Sequence, residues 1–139
     1  MAFRQLIMEA GSDIAILEPG GRTPRLPEAH QAYSTALNHW QANHWLDSHN
    51  NWHQRWRGSI CAAVEDPDGA AREIEQWAGH PYMAQILIKA EPRPSWGHPM
   101  YNPIWAAVSH AFQPHGRRLL NPGEELVLGP EPHAHDIVS

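Results

Sequence analysis

The chain has 139 residues, a hydrophobic fraction of 42%, a charged fraction of 18% and a formal net charge of −5. That length suits one domain with a real core, and the composition is that of a folded globular chain rather than a disordered one. An acidic balance with no basic cluster larger than Arg117-Arg118 argues against nucleic acid as a partner, and the absence of any apolar run near the ~18 residues of a membrane helix argues against a membrane.

Residues 3–10 carry the pattern of the tail of a helix, and Gly11 leads from it into a short buried-type strand at 13–17 (DIAIL). The apolar residues 6–8, flanked by Arg4 and Glu9, do not make a signal-peptide core, so a cytoplasmic location is expected. Residues 18–27 hold three Pro and two Gly and form a loop leaving the carboxyl end of that strand. From Pro27 the chain becomes helical to about residue 48. Ala29, Tyr33, Ala36, Leu37, Trp40 and His44 fall on one stripe at helical spacing, the expected core face. Residues 49–56 mix polar and aromatic side chains in a turn, with Trp52 and Trp56 expected against the end of the helix.

A tightly connected unit follows. An apolar strand at 58–64 precedes a helix that Asp66 caps, Pro67 opens and Gly79 closes. Its residues Ala70, Ile74, Trp77 and Ala78 make one apolar stripe, and a second apolar strand lies at 83–90. Two buried strands joined by such a helix predict a parallel βαβ unit. After a Pro-rich loop, Asn102-Pro103 is the expected start of a third helix with Ile104, Trp105, Val108, Ala111 and Phe112 on its core face. Beyond residue 113 the pattern gives way to turn formers around one strand at 125–128. The order βαβαβα places residues 1–112 in the α/β class, with 113–139 as an irregular tail.

Four segments carry a resemblance: MEAGSDIAIL (8–17), ALNHWQANHWLD (36–47), RGSICAAVEDPDGAAREIEQWAGHP (57–81) and GHPMYNPIWAAV (97–108). In this order they resemble parts of the amidohydrolase-related proteins, metal-dependent TIM barrels that include the aminocarboxymuconate-semialdehyde and resorcylate decarboxylases. The resemblance implies a partial TIM barrel of about three βα units. It also implies a parent activity of metal-dependent hydrolysis or nonoxidative decarboxylation of a small aromatic carboxylate, using Zn or Mn. The family's His-x-His pair would precede residue 1, and its P-V-x-I-H segment would fall where this chain has PHGRRLLNPG. Its catalytic His and late Asp would lie beyond residue 139. No catalytic or metal-binding residue carries over, and the expectation is a fragment with a divergent or frameshifted end that binds no metal of its own.

Parallel βα architectures place function at the carboxyl ends of the strands, which makes Glu18, Glu65 and Lys89 the candidate residues on the substrate side. Cys61, the single cysteine, sits in an apolar strand and reads as a small buried hydrophobe. Of eleven histidines, His39, His44 and His49 advance by five residues and so do not share a helix face. His133 and His135 form an H-x-H pair, but Pro130 and Pro132 flank them with strand breakers. Among seven tryptophans, Trp40, Trp77 and Trp105 are expected in the core, and Trp96, in a loop after a strand, is the one free to meet a ligand. The open strand edges of a partial barrel predict that the chain self-associates, and the alternative to an enzyme remnant is a noncatalytic module that binds a small molecule at its strand ends or completes itself by self-association.

Overall fold

The computed structural model describes residues 4–20, 22–47, 51–89, 94–111, 118–119 and 125–129. A π-helical turn, Arg4–Glu9, leads to strand β1 (Ala15–Ile16), helix α1 (Pro27–Gln41) and a second π-helical turn, Ala42–Leu46. Strand β2 (Trp56–Cys61), helix α2 (Pro67–Ala78), strand β3 (Met83–Lys89) and helix α3 (Asn102–Ala111) follow. Strands β4 (Arg118–Leu119) and β5 (Glu125–Gly129) come last. The sheet order is β1-β2-β3-β5-β4.

Both pairings among the first three strands are parallel, with Ala15 opposite Trp56 and Cys61 opposite Leu87. The expected strands are therefore present as neighbours in chain order, each joined to the next through a helix. The strand expected at 125–128 is also present, but it lies antiparallel beside β3, with Leu128 opposite Ile86 and Glu125 opposite Lys89. It widens the sheet beyond β3. No helix among the described residues is long and apolar enough to cross a membrane.

Helix α2 forms as its sequence dictates. Asp66 Oδ1 accepts from Gly69 N at 3.0 Å, and Pro67 occupies the first turn, where its missing N–H costs nothing. Its buried stripe of Ala70, Ile74 and Trp77 meets Ile104, Ala107 and Val108 of α3 in one cluster with Ile60, Ile86 and Ile88 of the sheet. Each of these isoleucines is at most 1% exposed, and full burial contributes roughly 2 kcal/mol apiece. Helix α3 departs from expectation at its start. Asn102 is already in helical conformation, and the cap stands earlier, where His98 Nδ1 accepts from Met100 N at 3.2 Å to open the 3-10 turn Pro99–Tyr101.

The core face of α1 is not the apolar stripe. His30, Ser34, Asn38 and Gln41 are buried, whereas Ala29, Ala36, Trp40 and His44 are exposed. The reason lies in the shortness of β1. Ala15 N and Leu17 N bond to Arg55 O and Arg57 O, after which β1 no longer follows β2. The next β2 groups on that side belong to Ser59 and Cys61, and a buried N–H or C=O without a partner costs about 1–3 kcal/mol. Gln41 spans Ser59, its Nε2 donating to Ser59 O at 2.9 Å and its Oε1 accepting from Ser59 N at 3.1 Å. Asn38 does the same for Cys61 at 2.9 and 2.8 Å. Two side-chain amides thus complete the ladder that β1 leaves unfinished. Close approach matters here too: a Cβ on Gly58 would lie 2.7 Å from Met83 Sδ and 2.8 Å from Leu46 Cδ1.

Candidate functional site

With its amide stripe turned to β2, α1 directs Leu37 and Trp40 toward the loop that leaves β1. A groove runs between that loop and the helix, at the carboxyl ends of β1 and β2. Its inner part is narrow, about 20 Å³, and is lined by His30, Ser34, Leu37, Cys61 and Leu87, with Thr23 on the loop side. Its outer part, about 480 Å³, is lined by Glu18, Leu37, Trp40 and Trp45. Pro19, Gly20 and Leu37 belong to both, so the two parts are continuous. Tyr33 O–H reaches across to Gly20 O at 3.5 Å.

The inner part is built around a histidine. His30, 4% exposed, lies with Nδ1 2.8 Å from Glu65 Oε2. Hydrogen bonding from His30 holds the Glu65 carboxyl below the ordinary glutamate range, against the opposing effect of burial. An ionised carboxylate only accepts, so His30 donates through Nδ1. Cys61 is buried, and its thiol lies 3.7 Å from Ser59 O.

A polar chain underlies the outer part. Ser59 Oγ donates to Leu17 O at 2.6 Å, and Gln85 Nε2 reaches both Ser59 Oγ at 2.8 Å and Glu18 Oε1 at 3.3 Å. Glu18 is thereby tied to β3 across the middle of β2, where Ser59 stands opposite Gln85. Above it, Trp40 and Trp45 meet edge to face, with ring centroids 6.1 Å apart and planes at 69°. Trp45 in turn stands at 74° to the buried Trp56, 5.1 Å away.

Two of the three residues expected on the substrate side belong to this region. Glu18 lines the outer groove; Glu65 acts on the inner part through His30. Lys89 ends β3 opposite Glu125, and its side chain lies outside the described residues. The pair His133 and His135 also lies outside them. Trp96, expected to be free for a ligand, is half-buried between Tyr101 and Trp105, and its carbonyl accepts from Trp105 Nε1 at 3.1 Å. Trp40, expected in the core, is 44% exposed on the groove. Sequence reasoning missed His30, whose signal was its place on an uncharged polar stripe with Ser34, Asn38 and Gln41.

The metal of the amidohydrolase-related proteins finds no matching donor set among the described residues. His30 and Glu65 engage each other, as do His80 and Asp47 at 2.9 Å, and no group of three or more described His, Cys, Asp or Glu residues converges. No protein-family model matches the chain, and no curated protein sequence matches it.

Proposed function

We propose that this chain is a small-molecule-binding module of amidohydrolase-related, partial TIM-barrel descent, with the groove between α1 and the loop after β1 as its ligand site. The observation that carries the reading is the apolar stripe of α1. Trp40 is not spent on the core, and with Leu37, which also packs against Cys61 and Leu87, it lines a concave space beside the carboxyl end of β1, the side of the sheet where α/β proteins bind ligands. Metal-assisted hydrolysis or decarboxylation stays with the parent family in this reading, since no described donor set would support it. The single buried Cys61 is consistent with the proposed cytoplasmic location.

Two-dimensional NMR of the 15N-labelled chain against small soluble aromatics of each charge, indole, benzoate and benzylammonium, tests the groove, and saturable binding of any one of them supports it. The indole N–H signals of Trp40 and Trp45 should shift saturably while that of Trp77, held by Glu73 Oε1 at 2.8 Å, stays still. Uniform small drifts with no saturation would sink the reading. A tightly held Zn or Mn with turnover of an aromatic carboxylate would restore the enzyme reading in its place.

Self-association is a second reading, favoured by one observation. Ile14 and Ile16, on the edge strand β1 and beside it, are 54% and 48% exposed. Sedimentation at rising concentration should reveal a dimer that Ile16→Lys abolishes; a monomer throughout would end this reading.

A further inference from the structure

We infer that the outer groove takes a small organic cation, an alkylammonium or arylammonium group; the inference rests on the groove being a ligand site. Trp40 and Trp45, at 69° to one another, form two walls of an open aromatic corner. An indole face carries the negative side of the ring quadrupole and attracts a cation placed over it. Trp45 is held by its contact with Trp56, while Trp40 presents a large ring that is 44% exposed and unused by the core. The carboxylate of Glu18 lines the same space, and its one contact with a described residue is the donation from Gln85 Nε2 to Oε1 at 3.3 Å. Among the described residues, no lysine or arginine lines either part of the groove.

These features select among ligand classes. An aromatic carboxylate would meet Glu18 with no lining cation to offset the repulsion. A neutral aromatic would cover Glu18 and strip its water without compensation. An ammonium group satisfies both walls and the carboxylate together, and its alkyl or aryl remainder fits over Leu37. Aromatic corners that recognise quaternary ammonium ions work by this combination of π faces and charge.

The test titrates the full chain with choline, with its neutral isostere 3,3-dimethylbutan-1-ol and with benzoate, reading tryptophan fluorescence and indole N–H shifts. Choline should bind about tenfold more tightly than the alcohol, and benzoate should bind least. Trp40→Leu should weaken choline binding about tenfold and Glu18→Gln about threefold, with each variant keeping a cooperative melt, since neither side chain lies in the core. Equal affinity for choline and the alcohol, or a preference for benzoate, with Trp40 and Trp45 still responding, would overturn the cation inference and leave the groove standing as a ligand site. No response to choline also overturns it, and the aromatic set described above then decides the groove separately.

Discussion

On the face of the sheet that carries α2 and α3, Ile60, Ile86 and Ile88 meet Ile74, Ile104 and Val108, and the contact is apolar. Along the edge that carries α1, the same strand β2 meets Asn38 and Gln41 through four hydrogen bonds. Glu73 of α2 joins the two regions. Although 5% exposed, its carboxylate accepts from Thr35 Oγ1 at 2.8 Å, Asn38 Nδ2 at 2.9 Å and Trp77 Nε1 at 2.8 Å, with Gln31 Nε2 at 3.5 Å. Burial of a carboxylate is tolerable with that many donors. The difference teaches that a helix seats itself by what the facing surface lacks. A sheet face lacks apolar contact, whereas an open strand edge lacks hydrogen-bond partners, and α1 answers the second need.

If the polar edge is structural, Asn38→Ala should be the most damaging single change. It strands Cys61 N–H and C=O and removes one donor to Glu73, at about 1–3 kcal/mol per buried group, so urea denaturation should show a loss of about 4 kcal/mol. A loss under ~1 kcal/mol would mean that water or a neighbour substitutes for the amide. Next comes the apolar face: Ile74→Ala should cost about 3 kcal/mol in the same assay. Together the two measurements rank the seams, and a reversed order would contradict the comparison. Gly58→Ala should cost about 2 kcal/mol by forcing Met83 and Leu46 apart.

The smallest effect is electrostatic. Because the Glu65 carboxyl titrates below the ordinary glutamate value in the folded chain, its contribution is complete above that ordinary value and is lost as pH falls through the lowered one. Solvent screening keeps it small, since the side chain is 41% exposed. A 13C titration should place the Glu65 midpoint below that of a free glutamate, and His30→Phe should raise it. An unchanged midpoint in the variant would show that the pair does not form in solution.

Much of the architecture was legible because α2 and its flanking strands obey local rules. Asp66, Pro67 and the Ala70–Ile74–Trp77 spacing each report a nearby partner, and the three parallel strands follow from them. The orientation of α1 was not legible in that way. Its hydrophobic stripe is real, but a stripe records that a face avoids water and not which surface it meets. Trp40 and Leu37 consequently line a groove, while the residues that meet β2 are amides whose partner is an edge created only by the shortness of β1. Glu18 and Glu65 could be named from topology alone, whereas His30 became visible only once the helix was turned. Trp96 misled for the converse reason, because a loop tryptophan had two aromatic neighbours, Tyr101 and Trp105, close behind it in sequence.

The amide pair on α1 also fixes a length scale. Asn38 and Gln41 are separated by about 4.5 Å of helix rise, while Ser59 and Cys61 are separated by about 6.6 Å of strand. The mismatch of roughly 2 Å must be absorbed by side-chain reach, and glutamine has one methylene more than asparagine to absorb it. The two carboxamides are therefore not interchangeable despite identical chemistry. Exchanging them, with Gln at 38 and Asn at 41, keeps every donor and acceptor yet moves both away from the groups they serve. The helix is keyed to the strand as a vernier is to its scale, and one position along α1 alone brings both marks into line.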